Sequence, residues 1–404
     1  MTGTPRSADA PGTPPAPGTP PAPGAPPAPG AGPSPDARLV HAGTQRTPGE
    51  LLVEPPVLAS IRASLGEPQP EDYGRSGNPT WVALETALGT IEDADAVVFA
   101  SGQAASMALM LSLSRGRSRI LVPGDGYYNA RALADRLRPH GAEPVPVDFQ
   151  DLAEVDRELS SATAAGGALL WAETPTNPLL RVADLAALGR LATAAGTPMI
   201  VDNTVATGLL QQPLAFGAVA SLCSLTKSAS GHSDVLLGAV TTRDPELVAD
   251  LRSWRTLGGG IAGPMECWLA IRGLRTLPLR IERQSQNALA LAGYLNGHQR
   301  VRAVHYPGVS ASTLDVATAQ MPRGFGPLLS FELDGSAAAA DAVVAAARLI
   351  VPASSFGGVE STWERRGRWP GETAPESLIR VSAGIEPAAD LIADIEQALT
   401  SRPG

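Results

Sequence analysis

Lysine is nearly absent from this chain: Lys227 is the only one in 404 residues, and the other strongly basic side chains are all arginine. Positive charge is also in the minority, with 31 Lys+Arg against 40 Asp+Glu and a net charge of −9. No basic stripe interrupts this balance, which excludes nucleic acid as the main partner, because phosphate backbones call for a basic face. Apolar runs are short. The longest, such as Ala168 to Ala172 and Val235 to Val240, fall far below the length that crosses a bilayer. The first residues lack a charged stretch followed by an apolar one, so a cytoplasmic protein without a membrane partner is expected. Cysteine is scarce too: Cys223 and Cys267 make no disulfide framework and no metal-ligand spacing, and both are expected as buried thiols. The five histidines are scattered without helical or paired spacing, so no metal site is expected.

What is present divides the chain. Residues 1–36 are mostly Pro, Gly, Ala and Thr, with Pro-Pro-Ala-Pro-Gly recurring at 14, 20 and 26, and read as a disordered, polyproline-like tail. Apolar strand-like runs then alternate with helical patterns: Ala96 to Ala100, Arg119 to Pro123, Ala168 to Glu173, Pro198 to Asn203, Val219 to Leu225 and Val235 to Thr242. Such alternation predicts an α/β fold with a large, mostly parallel sheet, whose ligands gather beyond the carboxyl ends of the strands. Beyond residue 262 the pattern changes to one long helix, Pro264 to Leu295, then strands at Leu328 to Leu333 and Leu378 to Ser382, which predicts a smaller C-terminal α+β domain. The expected division is 76–262 and 263–404.

The lone lysine closes Ser224-Leu225-Thr226-Lys227 after the buried-strand pattern Val219 to Cys223. A solvated surface amine is the ordinary reading of a lysine, but an amine at the end of a buried strand, beside two small hydroxyls, suits an aldehyde cofactor carrying a phosphate. Other strand ends are individually ambiguous. Ser101-Gly102-Gln103 opens a helix as either a phosphate cradle or a plain N-cap. Asp202, in Val201-Asp202-Asn203-Thr204, is either a partner for a pyridine nitrogen or a turn residue. Asn177, in a loop stiffened by two prolines, either contacts a cofactor oxygen or serves the turn. Tyr127 and Tyr128 either stack on a flat heterocycle or pack in the core. Arg380, inside an apolar strand, either clamps a substrate carboxylate or forms a structural ion pair. Tyr73 and Arg75 have a solvated loop as their simplest reading.

Taken as a set, eight strings in order resemble the Cys/Met-metabolism (transsulfuration) family of fold-type I pyridoxal-phosphate (PLP) enzymes. They are Tyr73 to Thr80, Ser101 to Ala105, Glu173 to Pro178, Val201 to Thr204, Ser224 to Asp234, Arg272 to Leu277, Ser355 to Ser361 and Leu378 to Glu386. The resemblance implies that Lys227 is the Schiff-base lysine and proton shuttle, with Tyr127 as the second catalytic residue. It implies that Asp202 pairs with the pyridinium, Thr204 lies among the cofactor contacts, Asn177 meets the ring oxygen, and Tyr127 or Tyr128 stacks on the ring. Ser224, Thr226 and the backbone of Gly102 and Gln103 would hold the phosphate. Tyr73 and Arg75, on an arm spanning 37–75, would reach the phosphate of a neighbouring subunit, which implies a dimer and usually a homotetramer. Arg380 would bind the α-carboxylate of an amino-acid substrate, with Ser355 beside it. Ser355 to Thr362 followed by Glu364 to Trp369 resembles the actinobacterial cystathionine γ-lyase branch, which implies α,γ-elimination of L-cystathionine. The same chemistry admits γ-replacement, β-elimination or an unusual substrate of specialised metabolism. Three departures stand out. Ser354 replaces the Glu usual in cystathionine γ-enzymes, Tyr127-Tyr128-Asn129-Ala130 replaces Tyr-Gly-Gly-Thr, and Trp363 and Trp369 imply a remodelled substrate entrance.

Overall fold

Seven strands form the sheet at whose carboxyl ends the candidate motifs lie: β1 (Asp95–Phe99), β2 (Arg119–Pro123), β3 (Glu143–Val147), β4 (Ala168–Glu173), β5 (Met199–Asp202), β6 (Ala220–Cys223) and β7 (Gly238–Thr242), with motifs following all but β3 and β7. Their order in the computed structural model is β1-β7-β6-β5-β4-β2-β3, and only β7 runs against its neighbours. The structure describes residues 33–44, 47–49 and 51–401, so the proline-rich repeats of the expected tail lie outside the described residues. The last residues assigned to that tail are ordered by Ser34, whose hydroxyl caps the helix Pro35–Val40.

Both faces of the sheet are covered, which is why its strands read as nearly continuous apolar runs. On one face Phe99, Val122, Trp171, Ile200, Leu222 and Val240 pack with Leu109 and Leu251 from helices Gly102–Leu113 and Pro245–Gly258. On the other, Leu121, Leu170 and Val201 pack with Val155, Leu159 and Leu188. The strand β3, absent from the sequence reading, is Glu-Pro-Val-Pro-Val on the sheet edge, where proline's missing N–H costs no ladder bond. The expected strand from Val235 starts in the sheet only at Gly238, because Leu237 instead exchanges hydrogen bonds with Thr226 in the loop before Lys227.

A second sheet follows: β8 (Val301–His305), β9 (Leu328–Leu333), β10 (Val351–Pro352), β11 (Thr362–Arg365) and β12 (Leu378–Ser382), ordered β10-β11-β12-β9-β8. The single helix expected over Pro264 to Leu295 is two, Pro264–Leu274 and Leu277–Leu295, with Pro278 in the first turn of the second. Proline there starts a helix rather than continuing one. From Pro33 onward the chain forms one compact unit. The division 76–262 and 263–404 remains a proposal, supported by one sheet lying in each segment.

Candidate active site

The N-terminus of helix Gly102–Leu113 faces the β6 end. Ser101 caps the helix by accepting the Ala104 N–H at 3.1 Å, and the first-turn N–H groups of Gly102 and Gln103 point out of the helix end, where an anion is favoured. Glycine is required because the chain segments nearly touch: a Cβ on Gly102 would lie 2.9 Å from Ser224 Cβ, and one on Gly238 would lie 2.3 Å from the Ser101 oxygen. Beside this cradle, Thr204 Oγ1 donates to Asp202 Oδ1 at 2.5 Å and accepts the Ser224 N–H at 3.0 Å, tying the β5 and β6 ends together. The Thr226 hydroxyl donates to the Leu237 carbonyl at 3.2 Å.

Lys227 Nζ donates to Ser355 Oγ at 2.6 Å and sits 5.2 Å from the Phe356 ring centroid. Burial and the nearby Arg380 guanidinium lower its pKa to about 8. Ser355 holds φ +77°, a left-handed conformation unusual for a non-glycine residue. Asp202 is pushed up by burial, and Glu173, its register partner on β4, is pushed up by its own burial and by Asp202. Glu173 splints two loops: Oε2 accepts the Tyr127 N–H and Oε1 accepts the Asn177 N–H, each at 2.7 Å. Tyr127 and Tyr128 lie 5.2 Å apart with planes at 57°, and the Tyr127 hydroxyl accepts from Asn129 Nδ2 at 2.8 Å. Both rings line one cavity of about 280 Å³, together with Gly102, Asp202, Lys227 and Arg380.

Arg380, on β12, is opposite Glu364 on β11. Its Nη1 donates to Asn177 Oδ1 at 2.8 Å, and its Nη2 donates to the Ser355 carbonyl at 2.9 Å and to Glu364 Oε1 at 2.6 Å. Burial and Arg366 lower its pKa to about 10, so it stays a cation at neutral pH. Glu364 also accepts from Arg366, Arg368 and the Trp369 indole. Burial opposes its charge, but Arg380, Trp369 and Arg366 outweigh burial and hold it below the usual carboxylate range.

The structure therefore brings together Gly102, Gln103, Tyr127, Tyr128, Asn177, Asp202, Thr204, Ser224, Thr226, Lys227, Ser355 and Arg380 around one cavity. It does not bring Tyr73 and Arg75 there. Tyr73 is half exposed under the Arg75 guanidinium, which donates to the Thr256 carbonyl. Trp363 is also elsewhere: it is buried in the second core with its indole on the Val344 carbonyl, and only Trp369 lines the cavity. The supporting roles of Glu173 and Glu364 have no sequence signal beyond the place of Glu173 in a matching string and of Glu364 in the stretch Glu364 to Trp369. Among the described residues, no group of three or more His, Cys, Asp or Glu could hold a metal, and no helix is long and apolar enough to cross a membrane. Both cysteines are free; Cys267 is buried and Cys223 only partly so.

A single amine, a helix N-terminus closed by glycines, and a buried carboxylate beyond the carboxyl ends of a mostly parallel sheet fit pyridoxal phosphate and define a fold-type I PLP-dependent enzyme. The chain belongs to the Cys/Met metabolism PLP-dependent enzyme family, whose model matches residues 37–400. It is 38% identical to the cystathionine gamma-synthase of Mycobacterium tuberculosis, over 90% of this chain and 96% of that one. It is 37% identical to the cystathionine gamma-lyase of Bacillus subtilis, over 81% and 88%. The crystal structure of a cystathionine gamma-lyase from Micromonospora echinospora superposes with a TM-score of 0.85 at 37% identity, covering 92% of this chain and all of that one. The protein is thus a PLP-dependent enzyme of transsulfuration chemistry at a carbon–sulfur bond, acting on an amino acid.

Proposed function

We propose that this enzyme carries out α,γ-elimination of L-cystathionine, consuming one water and releasing cysteine, 2-oxobutanoate and ammonia. The observation that carries the reading is the placement of Lys227 Nζ, an amine with pKa lowered to about 8, in the same cavity as a buried arginine. Pyridoxal phosphate, when bound, supplies the electron sink for charge developing at Cα. Lys227 would be its covalent anchor. Asp202, fixed by Thr204, would keep the pyridine nitrogen protonated, and Gly102, Gln103, Ser224 and Thr226 would hold the phosphate. Asn177 would meet the ring oxygen, and Tyr127, splinted by Glu173, would cover the ring. Arg380 receives the substrate α-carboxylate with Ser355 beside it. Lys227 Nζ then takes the α-proton and delivers protons along the substrate, so that the γ-thiol leaves protonated; an amine of pKa near 8 does both at neutral pH.

A second reading, γ-replacement onto an activated homoserine, is favoured by the likeness to the mycobacterial synthase and uses the same residues. We read the 37–75 segment as an arm reaching a neighbouring subunit of a homotetramer. The exposure of Leu58, Ile61 and Leu65 supports this, since apolar side chains at a surface favour burial against a partner. We take its compartment to be the cytoplasm. The test is holoenzyme with L-cystathionine alone, products resolved by mass spectrometry. Cysteine with 2-oxobutanoate is expected. Pyruvate with homocysteine would make it a β-lyase. No turnover of cystathionine, with cystathionine formed instead from O-activated homoserine and cysteine, would make it the γ-replacement enzyme.

A further inference from the structure

Resting on the reading of an amino-acid substrate clamped by Arg380, we propose that Arg366 is the residue that selects the far end of the substrate side chain, and that it selects a carboxylate. Arg366 is 4% exposed and lines the cavity with Trp369 and Tyr128. It is held by two buried carboxylates: Nη1 donates to Glu364 Oε1 at 2.9 Å, while Nε and Nη2 donate to Glu372 Oε2 at 3.1 and 2.7 Å. Glu372 is itself pinned, its other oxygen accepting the Thr373 and Ala374 N–H groups. A guanidinium carries five N–H groups, and these three bonds leave one on each Nη. The group is therefore oriented by its partners without being used up by them.

The alternatives for the far end of a substrate are less well served. The carboxylates that line the cavity are Glu173 and Asp202; Glu173 already accepts two backbone N–H groups, Asp202 Oδ1 accepts from Thr204, and the remaining Asp202 oxygen is assigned to the cofactor nitrogen, so a distal ammonium meets no uncommitted carboxylate. Ser354, on the cavity wall, offers only a hydroxyl there. An uncharged tail would bury the remaining Arg366 donors against carbon, which leaves them unsatisfied. A carboxylate accepts both, in a charge-assisted fork. The walls Trp369 and Tyr128 then cover the apolar part of the side chain. The strap that carries Arg366 and Trp369 is held over the cavity by Arg131, whose Nη1 donates to the Gly126 carbonyl and whose Nη2 donates to that of Gly371.

The test uses holoenzyme and three amino acids with no leaving group, of matched length: L-2-aminosuberate, which ends in a carboxylate, L-2-aminooctanoate, which ends in a methyl, and L-2,8-diaminooctanoate, which ends in an amine. Binding is read from the change in cofactor absorbance, independently of which elimination or replacement the enzyme performs. Aminosuberate is expected to bind about 10- to 100-fold more tightly than aminooctanoate, and diaminooctanoate most weakly. Arg366→Gln is expected to bring the first two within about threefold by weakening aminosuberate, with aminooctanoate bound no more weakly than by the wild type. Equal binding of aminosuberate and aminooctanoate by the wild type overturns the proposal, even if Arg366→Gln fails to fold. So does a variant that weakens all three ligands alike, which would show Arg366 acting through Glu364 on Arg380 and the α-carboxylate end instead. A cystathionine-inactive wild type that still prefers aminosuberate would sink the γ-elimination reading and leave this one standing.

Discussion

Lys227 Nζ has its pKa lowered to about 8 because burial and the Arg380 guanidinium both disfavour its charged form, and the Ser355 hydroxyl accepts from it at 2.6 Å. Only the neutral amine attacks an aldehyde. The rate at which apoenzyme captures pyridoxal phosphate should therefore rise about tenfold per pH unit up to pH 8 and level off above it, as followed by stopped-flow absorbance. A plateau already reached at pH 6 would contradict the lowered value, and a rise continuing beyond pH 10 would return the amine to its ordinary range. Because there is no second lysine, borohydride reduction of the holoenzyme should fix cofactor at Lys227 alone, and Lys227→Ala should lose both the label and turnover. Much of this was legible in the sequence, since a solitary lysine after a buried strand has few other uses. The pKa was not, because Arg380 lies 153 positions further along the chain.

At the scale of elements, the site depends on how closely strand ends approach. β7 pairs Gly238 with Phe99 of β1, and a methyl group there would meet the Ser101 oxygen at 2.3 Å and Gly102 Cα at 2.6 Å. Those atoms are backbone and cannot rotate away, so the strand or the cradle must move. Gly238→Ala should weaken cofactor binding by at least about tenfold and lower the melting temperature by several degrees, measured by absorbance titration and calorimetry. Unchanged affinity would show that the helix end at Gly102 does not hold the phosphate. The strand runs that carry the site were readable from apolar runs ending in Ser, Asp or Glu. The strand Glu143–Val147 was not, because two prolines in five residues argue against a strand except on an edge, and edges are assigned only by folding.

For the whole molecule, the proposed reading of 37–75 as an arm to a neighbouring subunit implies that a cavity is completed only between chains. Tyr73 and Arg75 are away from their own cavity, so mixing inactive Lys227→Ala chains with impaired Arg75→Ala chains, after dissociation and reassembly, should restore about a quarter of wild-type activity. In each mixed pair one site receives Lys227 from one chain and Arg75 from the other. No recovery, with mixed oligomers demonstrated by mass spectrometry, would confine both residues to their own subunit's surface.

By itself the sequence determined which reactive groups stand at strand ends and in what order, because strand, turn and cap are local patterns of a few residues. The tertiary structure alone decided what each group faces. Glu173 holds Tyr127 across 46 positions, and Glu364 joins Arg380 to Arg366 and Trp369 because β11 and β12 pair antiparallel. Carboxylates carry no mark of their partners in the chain; burial gives them partners, since a buried charge left without one is too costly to keep.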